Sequence, residues 1–167
     1  TFLAAKGYAM ADSLVEADAV ETAKGLLEKS EGKLVLPNDL VLGKAFEAET
    51  EMKTIPAGDV PEGWRVLDIG PESVKAFAAE VQSAGTVVWN GPMGVFEFPR
   101  FAEGTYGVAK AVAASNAISI IGGGDSVAAI NKSGLSDQIT HISTGGGASL
   151  EMLEGIELPG VALLSEK

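Results

Sequence analysis

Three glycine-rich turns carry the residues of this sequence that are best suited to chemistry. The turns begin at Asn90, Gly122 and Gly145, and each follows a short segment that is predicted to be a strand. Because glycine has no β-carbon, backbone N–H groups in such turns can approach a phosphate closely. Where a helix follows the turn, its N-terminus adds a partial positive charge that favours an anion. The turns therefore predict sites for phosphate groups.

The turn at Gly122 has the sharpest pattern. Gly123 and Gly124 follow, and Asp125 and Ser126 stand where the next helical pattern begins. This order predicts a cradle for nucleotide phosphates. Asp125 would hold Mg²⁺ directly or through water, since Mg²⁺ is usually shared between a carboxylate and substrate phosphates, and Ser126 can add a hydroxyl. The alternative is that Asp125 only caps the helix.

The turn at Gly145 repeats this design without the acid. Gly146 and Gly147 complete its run of glycines, and Ala148 stands where Asp125 stands in the other turn. Two cradles with one acid favour a division of roles. One would hold Mg-nucleotide phosphates while the other meets the group being transferred.

The turn at Asn90 differs, because it combines polar groups with rigid and apolar residues. Asn90 and Pro92 begin the turn, and Glu97 ends it. Such a mixture suits a base and a ribose, with Glu97 accepting hydrogen bonds from sugar hydroxyls. For Trp89 and Phe96 core packing is the favoured interpretation, and for Glu97 the alternative is an ordinary surface charge.

Several other enzyme classes fit the pattern less well. The dinucleotide-binding fingerprint needs a third glycine where this chain has Val127, and the Walker sequence of Gly, Lys and Ser or Thr is absent. The hydrolase elbow fails at Ala128, where it needs glycine. Ser126 and His141 still leave a hydrolase conceivable, although His141 is favoured as a structural residue.

The surrounding pattern predicts the α/β class, as a doubly wound parallel sheet with helices on both faces, similar to a Rossmann fold. Short apolar runs separated by helical periodicity are typical of such a sheet, whose ligands bind at the carboxyl ends of the strands. All three turns are therefore expected at one edge. The predicted strands are 33–36, 86–89, 117–121 and 141–144, with short strands in 39–42 and 54–55; the predicted helices are 18–29, 73–83, 102–114, 126–133 and 149–154; and the tail 157–167 is predicted to be irregular.

The length and composition of the chain limit the class of protein, its partners and its location in the cell. A chain of 167 residues predicts one domain, and a net charge of −11 without a clustered basic surface argues against nucleic acid. The sequence has no cysteine, so disulfides and thiolate metal sites are excluded. No apolar run reaches the roughly 18 residues that cross a bilayer, which favours a cytosolic protein away from membranes. The apolar opening at Thr1 leads us to expect a truncated chain.

The three turns, in this order and spacing, resemble phosphoglycerate kinase. The strings VVWNGPMGVFE, GGGDS and HISTGGGASLE carry the resemblance, and TFLAAKG, LPNDLVLGKAF, LDIGPES and ELPGV extend it over essentially the whole chain. The resemblance implies a two-domain, cytosolic, monomeric enzyme of glycolysis. That enzyme transfers a phosphoryl group reversibly between 1,3-bisphosphoglycerate and ADP, which gives 3-phosphoglycerate and ATP. Residues 1–167 would be most of its C-terminal, nucleotide-binding domain.

The resemblance also implies roles for individual residues. Asn38 and the segment 43–45 depart from the usual family pattern, but neither touches these roles. Glu97 would hold the ribose; Gly123, Gly124, Asp125 and Ser126 would contact the nucleotide phosphates, with Asp125 at Mg²⁺; Asn90 and Pro92 would line the nucleotide site; Val66 and Leu67 would lie near adenine; and Gly145, Gly146 and Gly147 would face the migrating phosphoryl group.

The segments that carry the family's cationic residues are missing from this sequence. None of the three turns contains lysine or arginine, although phosphoryl transfer normally recruits them. The family's N-terminal phosphoglycerate-binding domain and its nucleotide-binding lysines are also missing. We therefore expect the parent enzyme to be a kinase, and this chain alone to bind nucleotide weakly and not to turn over. The alternative is a separate nucleotide-binding or regulatory module that never catalyses.

Overall fold

The computed structural model describes residues 1–143 and 145–164. Thr144, at the end of the predicted strand 141–144, and the last three residues of the predicted tail lie outside the described residues. The chain divides into two compact units, whereas its length alone predicts one domain. Unit 1 comprises Thr1–Glu80 and Met93–Val108, and unit 2 comprises Val81–Pro92 and Ala109–Lys167.

The helices and strands alternate along most of the chain. The helices are α1 (Phe2–Ala5), α2 (Val20–Lys29), α3 (Pro71–Ser83), α4 (Glu103–Ala113), α5 (Gly124–Ser133), α6 (Gly146–Leu153) and α7 (Pro159–Ala162). The strands are β1 (Asp39–Gly43), β2 (Met52–Pro56), β3 (Arg65–Ile69), β4 (Thr86–Asn90), β5 (Ile118–Gly122) and β6 (His141–Ile142). Each predicted helix is confirmed to within a few residues, and so are the predicted strands in 39–42, 54–55, 86–89 and 117–121.

Unit 1 contains an antiparallel sheet in the order β2-β1-β3. Its central strand is buried along its whole length, and successive side chains point to opposite faces. Leu40 and Leu42 pack with Trp64 and Val60 on one face. On the other face, Val41 packs with Leu67 and Phe101; Met52, Val95 and Phe98 lie against this cluster. Both faces of the sheet are therefore covered within unit 1.

Unit 2 contains a parallel sheet in the order β4-β5-β6, flanked by helices, as the α/β prediction requires. Helices α5 and α6 both pack on β5, its central strand. The sheet is less completely buried than the sequence predicts. Val88 is 40% exposed and Ile118 is 55% exposed.

Two predictions about individual segments are wrong. Residues 33–36 form no strand, and Leu34 and Val35 are 36% and 44% exposed. An apolar run becomes a strand only when a neighbour supplies hydrogen bonds, and no segment of the described chain pairs with this one. The tail is also not entirely irregular, because α7 begins at Pro159, whose fixed φ suits the first turn of a helix.

Candidate functional site

The three glycine-rich turns lie at one edge of the sheet in unit 2, which confirms the predicted arrangement. Asn90 ends β4 and pairs in register with Gly122, which ends β5. Directly after β6, the N–H of Ser143 donates to the carbonyl of Ile121 at 2.7 Å. The sequence places each turn after a strand, and the parallel pairing brings the ends of these strands together.

Two of the turns pack backbone against backbone. A β-carbon on Gly146 would come within 2.6 Å of the Cα of Gly123 and would also collide with its nitrogen. A β-carbon on Gly123 would in turn collide with Asn90 Oδ1. The φ of Gly123, +86°, also lies in the region that favours glycine. The absence of side chains at these glycines therefore allows the three turns to meet.

The cradle at α5 presents exposed groups around the helix start. Gly124 and Asp125 are exposed, and the preceding Gly123 offers no side chain to cap the first N–H groups. A helix start without a cap keeps donors available for an anion. The Asp125 carboxylate makes no hydrogen bond or ion pair within residues 1–143 and 145–164, so the alternative role as a helix cap gains no support.

Ser126 occupies a different environment from its neighbours. Its side chain is fully buried, and its Oγ accepts a hydrogen bond from the N–H of Gly91 at 2.6 Å. This bond ties the start of α5 to the turn that follows β4. Within the described part of the chain no hydrogen bond joins Ser126 to His141, which is exposed on β6. A buried serine bonded elsewhere does not support the hydrolase alternative.

The second cradle begins its helix earlier than the sequence predicts. Helix α6 starts at Gly146 rather than Ser149, so Gly146 and Gly147 belong to its first turn. Gly145 and Gly147 are exposed, and Gly146 is half-buried. Ser149 Oγ donates to the carbonyl of Gly145 at 3.2 Å and thereby fixes the start of the helix. The exposed backbone here can meet an anion, as the prediction requires.

The environment of Asp125 fits a magnesium ion that is shared with substrate phosphates. Within the described ranges, no three histidine, aspartate or glutamate side chains come together. A cage made only of protein ligands is therefore not formed there. Mg²⁺ commonly takes one or two carboxylates and completes its shell with phosphate oxygens and water, and Asp125 can supply such a carboxylate.

Unit 1 holds the residues predicted to lie near adenine. Val66 and Leu67 line a cavity of about 540 Å³, a size typical of small-molecule sites. Its other walls are Asp12, Ser13, Leu14, Val15, Phe46, Arg65 and Val95. Leu14 is 94% exposed and Phe46 is 58% exposed, so both offer apolar surface to a ligand.

The cavity follows the outer edge of β3. On this edge the N–H of Val66 donates to Ser13 Oγ at 3.0 Å, and the N–H of Val95 donates to the carbonyl of Leu67 at 2.9 Å. Sequence reasoning missed Leu14 and Phe46, whereas Val95 belongs to the apolar part of the Asn90 turn that was expected to suit a base. Exposed apolar residues beside polar neighbours are a weak signal, because they become a site only when the chain brings them to the same strand edge.

The remaining residues of the Asn90 turn fall into two groups. Trp89 and Phe96 are buried, which confirms the predicted core packing. Glu97 is exposed two residues after Val95 and belongs to unit 1 with the adenine candidates. Asn90 and Pro92 belong to unit 2 with both phosphate cradles.

Comparison with protein families identifies the chain. The family model described as phosphoglycerate kinase matches residues 1–156. The chain belongs to the phosphoglycerate kinase family. Phosphoglycerate kinases from Roseiflexus sp. (strain RS-1) and Deinococcus radiodurans are each 56% identical to it, over 99% of this chain.

Solved phosphoglycerate kinase structures share the fold. The enzyme from Coxiella burnetii matches 96% of this chain with a TM-score of 0.91 and 40% identity. The enzyme from Pyrococcus horikoshii OT3 matches 96% of it with a TM-score of 0.83 and 35% identity. The fold described above is therefore that of the matching part of these enzymes.

The chain covers only part of these phosphoglycerate kinases. It spans 43% of the Roseiflexus protein, 41% of the Deinococcus protein and 42% of the Coxiella chain. In the described part of the chain, no helix is both long and apolar enough to cross a membrane.

Proposed function

We propose that this chain supplies the nucleotide-binding part of a phosphoglycerate kinase. The enzyme would transfer a phosphoryl group reversibly between 1,3-bisphosphoglycerate and ADP, giving 3-phosphoglycerate and ATP in glycolysis. In this proposal residues 1–167 correspond to most of the C-terminal domain, and the parent enzyme is cytoplasmic and monomeric. The observation that carries the proposal is the meeting of three glycine-rich turns at one sheet edge, in a chain of this family.

The phosphates of ADP or ATP are assigned to unit 2. The exposed start of α5 supports this assignment, since Gly124 and Asp125 lie where backbone donors and a carboxylate can face Mg-bound phosphates. Ser126 contributes indirectly, because its hydroxyl fixes Gly91 at the base of the Asn90 turn. Gly123 would contribute backbone contacts, and Asn90 and Pro92 would line the same region.

The migrating phosphoryl group is assigned to Gly145, Gly146 and Gly147. These residues offer backbone groups at the start of α6, and Gly146 lies directly against Gly123 of the other cradle. Preorganised backbone donors stabilise charge that develops on a transferring group. Bound Mg²⁺ would neutralise phosphate charge, which matters here because none of the turns carries lysine or arginine.

The adenosine moiety is assigned to unit 1. The apolar walls formed by Leu14, Phe46 and Val95 suit a planar base beside Val66 and Leu67. Glu97 follows the same wall and has an exposed carboxylate that can accept hydrogen bonds from ribose hydroxyls. Each unit can therefore be tested with its own probe, adenosine for unit 1 and pyrophosphate for unit 2.

The first test is the replacement of Asp125. We expect Asp125→Ala to weaken MgADP binding about tenfold or more, because it removes the carboxylate assigned to Mg²⁺. Binding of metal-free ADP should change much less. Isothermal titration with and without Mg²⁺ measures both.

The matched control is Asp137→Ala, which removes an exposed acid of the same unit from a short 3-10 turn. MgADP affinity should survive this change. Equal MgADP affinity in wild type and Asp125→Ala would contradict the magnesium assignment.

The phosphoryl-transfer reaction needs a separate assay. It must use a protein that is as long as the relatives and that contains residues 1–167. ATP formation from 1,3-bisphosphoglycerate and ADP can be followed with a coupled ATP-consuming reaction. We expect turnover there, and its loss when the Gly145 to Gly147 segment is disrupted. Nucleotide binding without any ATP formation would favour the non-catalytic module instead.

A further inference from the structure

The deeply buried carboxylate of Asp68 is not used by the function proposed above. Asp68 is 2% exposed and is the fourth residue of β3, directly after Leu67. Its Oδ1 accepts the N–H of Ile69, and its Oδ2 accepts the N–H of Gly104, both at 2.8 Å. One carboxylate therefore joins β3 to the first turn of α4.

The turn that leads to Glu97 is built around the same carboxylate. A β-carbon on Gly94 would collide with Asp68, and so would a β-carbon on Gly104. Both positions accept only glycine because the acid fills the space between the two segments. The turn and the start of α4 thus both pack against this one side chain.

Further hydrogen bonds fix the turn against these two elements. The N–H groups of Met93 and Gly94 donate to Thr105 Oγ1 at 3.0 and 3.2 Å, and Thr105 is fully buried beside Gly104. The N–H of Val95 donates to the carbonyl of Leu67, which lines the adenine candidate cavity. Movement of α4 relative to β3 would therefore move this turn.

We propose that Asp68 is a positioning residue, whose ionised carboxylate holds the Gly94 to Glu97 turn in the geometry that binds a nucleoside. The assignment of that turn to a nucleoside rests on the function proposed above. When Asp68 takes up a proton, one of its two acceptor oxygens becomes a donor. The bond from Gly104 or Ile69 then weakens, and the turn loses its fixed position.

The surroundings of Asp68 allow this proton uptake. A surface cavity of about 440 Å³ reaches Asp68, and its charged walls are Glu103 from α4 and Arg100 before it. Arg100 donates to the carbonyl of Thr50 at 3.1 Å and does not pair with Asp68. Burial raises the pKa of Asp68 to about 6, and the nearby charge of Glu103 adds to the rise, against the opposing effect of the two backbone hydrogen bonds.

The test combines NMR with adenosine titrations of this chain between about pH 5 and pH 7.5. Adenosine carries no phosphate, so its binding reports on the nucleoside site alone. In wild type, the amide shifts of Gly94, Val95 and Gly104 should titrate with one midpoint well above the ordinary Asp value. Adenosine should bind about tenfold more weakly at the acidic end, which corresponds to the loss of one hydrogen bond to a charged group.

Two variants separate positioning from a purely structural role. Asp68→Asn should bind adenosine weakly at every pH, and the amide shifts should no longer titrate. Glu103→Gln should move the midpoint to lower pH and leave adenosine affinity near pH 7.5 unchanged. If Asp68→Asn does not fold, the wild-type series and Glu103→Gln still decide the question. The pH dependence must also persist in His141→Gln, which removes the single histidine of the sequence.

The outcomes are distinguishable. Adenosine affinity that is independent of pH in wild type, or a midpoint unmoved by Glu103→Gln, overturns the positioning role while leaving nucleotide binding intact. Titrating amides without adenosine binding at any pH would support positioning by Asp68 and defeat the proposed nucleoside site instead.

Discussion

At the scale of single residues, the two buried aspartates of unit 1 have opposite electrostatic behaviour. Burial alone raises the pKa of both. At Asp39 the hydrogen bonds from Ser73 and Glu72 outweigh this effect, so its pKa is lowered below 3.8. At Asp68 two backbone N–H groups do not compensate for burial, and the pKa is raised to about 6. The balance between burial, nearby charge and hydrogen-bond donors at each carboxylate decides the direction of the pKa shift.

The raised pKa of Asp68 predicts a pH dependence of stability. When a carboxyl has a higher pKa in the folded protein than in the unfolded chain, its protonated form stabilises the fold. This stabilisation is complete at a pH below the unfolded-state pKa, and it is lost as the pH rises through the folded-state pKa. From an ordinary value of 3.8 to about 6, the loss is about 3 kcal/mol.

The measurement is urea denaturation of wild type and Asp68→Asn from about pH 4 to pH 7.5. The free energy of unfolding of wild type, relative to that of the variant, should fall by about 3 kcal/mol over this pH range. A difference that stays constant with pH would show that Asp68 does not change its pKa on folding.

At the scale of elements, Asp39 connects the central strand of unit 1 to the start of α3. Its carboxylate accepts the N–H groups of Glu72 at 3.1 Å and Ser73 at 2.7 Å, and the hydroxyl of Ser73 at 2.6 Å. A β-carbon on Gly70 would collide with it. The first residue of β1 therefore caps a helix that begins more than thirty residues later.

Asp39→Ala should lower the free energy of unfolding by about 2–4 kcal/mol, because it leaves buried donors unsatisfied at the start of α3. Its control is Asp59→Ala, which removes only an exposed acceptor for the N–H of Ala9. That change should cost less than about 1 kcal/mol. Equal losses in the two variants, measured by urea denaturation, would contradict the capping role.

The contact between the two phosphate cradles gives a second prediction at this scale. Gly146→Ala places a methyl group against the backbone of Gly123, which cannot rotate away. We expect the free energy of unfolding to fall by about 1–3 kcal/mol and pyrophosphate to bind more weakly.

Gly147→Ala is the matched control for this change. Its new β-carbon meets no atom within 4 Å in the described structure. Alanine also favours a helix more than glycine does. Thermal unfolding should therefore separate the two variants, and similar midpoints would argue against close packing of the cradles.

At the scale of the whole molecule, the net charge of −11 opposes the binding of anionic nucleotides. Exposed Asp125 adds to this repulsion at the cradle itself. Neutralisation by a divalent cation is therefore expected to be a large part of nucleotide affinity. This property depends on the total charge and not on any single contact.

ADP should accordingly bind about tenfold more tightly with Mg²⁺ than with EDTA at low salt. High salt should reduce this difference in ADP affinity, because salt screens the repulsion between the protein and metal-free ADP. Titration calorimetry at two salt concentrations measures this. If the difference in ADP affinity with and without Mg²⁺ does not change with salt, the effect of Mg²⁺ would be assigned to local coordination at Asp125 alone.

The sequence by itself determined the elements of unit 2 and the turns that carry chemistry. Parallel strands have their carboxyl ends at one edge, so the pattern placed Asn90, Gly122 and Gly145 together in advance. Residue types also placed Trp89 and Phe96 in the core. These features depend on periodicity and turn chemistry, which are local along the chain.

Only the tertiary structure decided the contacts between distant segments. The pattern could not show that residues 33–36 lack a strand partner, or that β1 to β3 form a separate antiparallel sheet. Nor could it show that Leu14 and Phe46 meet Val66 at one cavity, or that Ser126 turns inward to Gly91. The physical reason is that apolar side chains and backbone hydrogen-bonding groups specify no particular partner. Long-range packing selects the partner, and it does so only when the whole chain has folded.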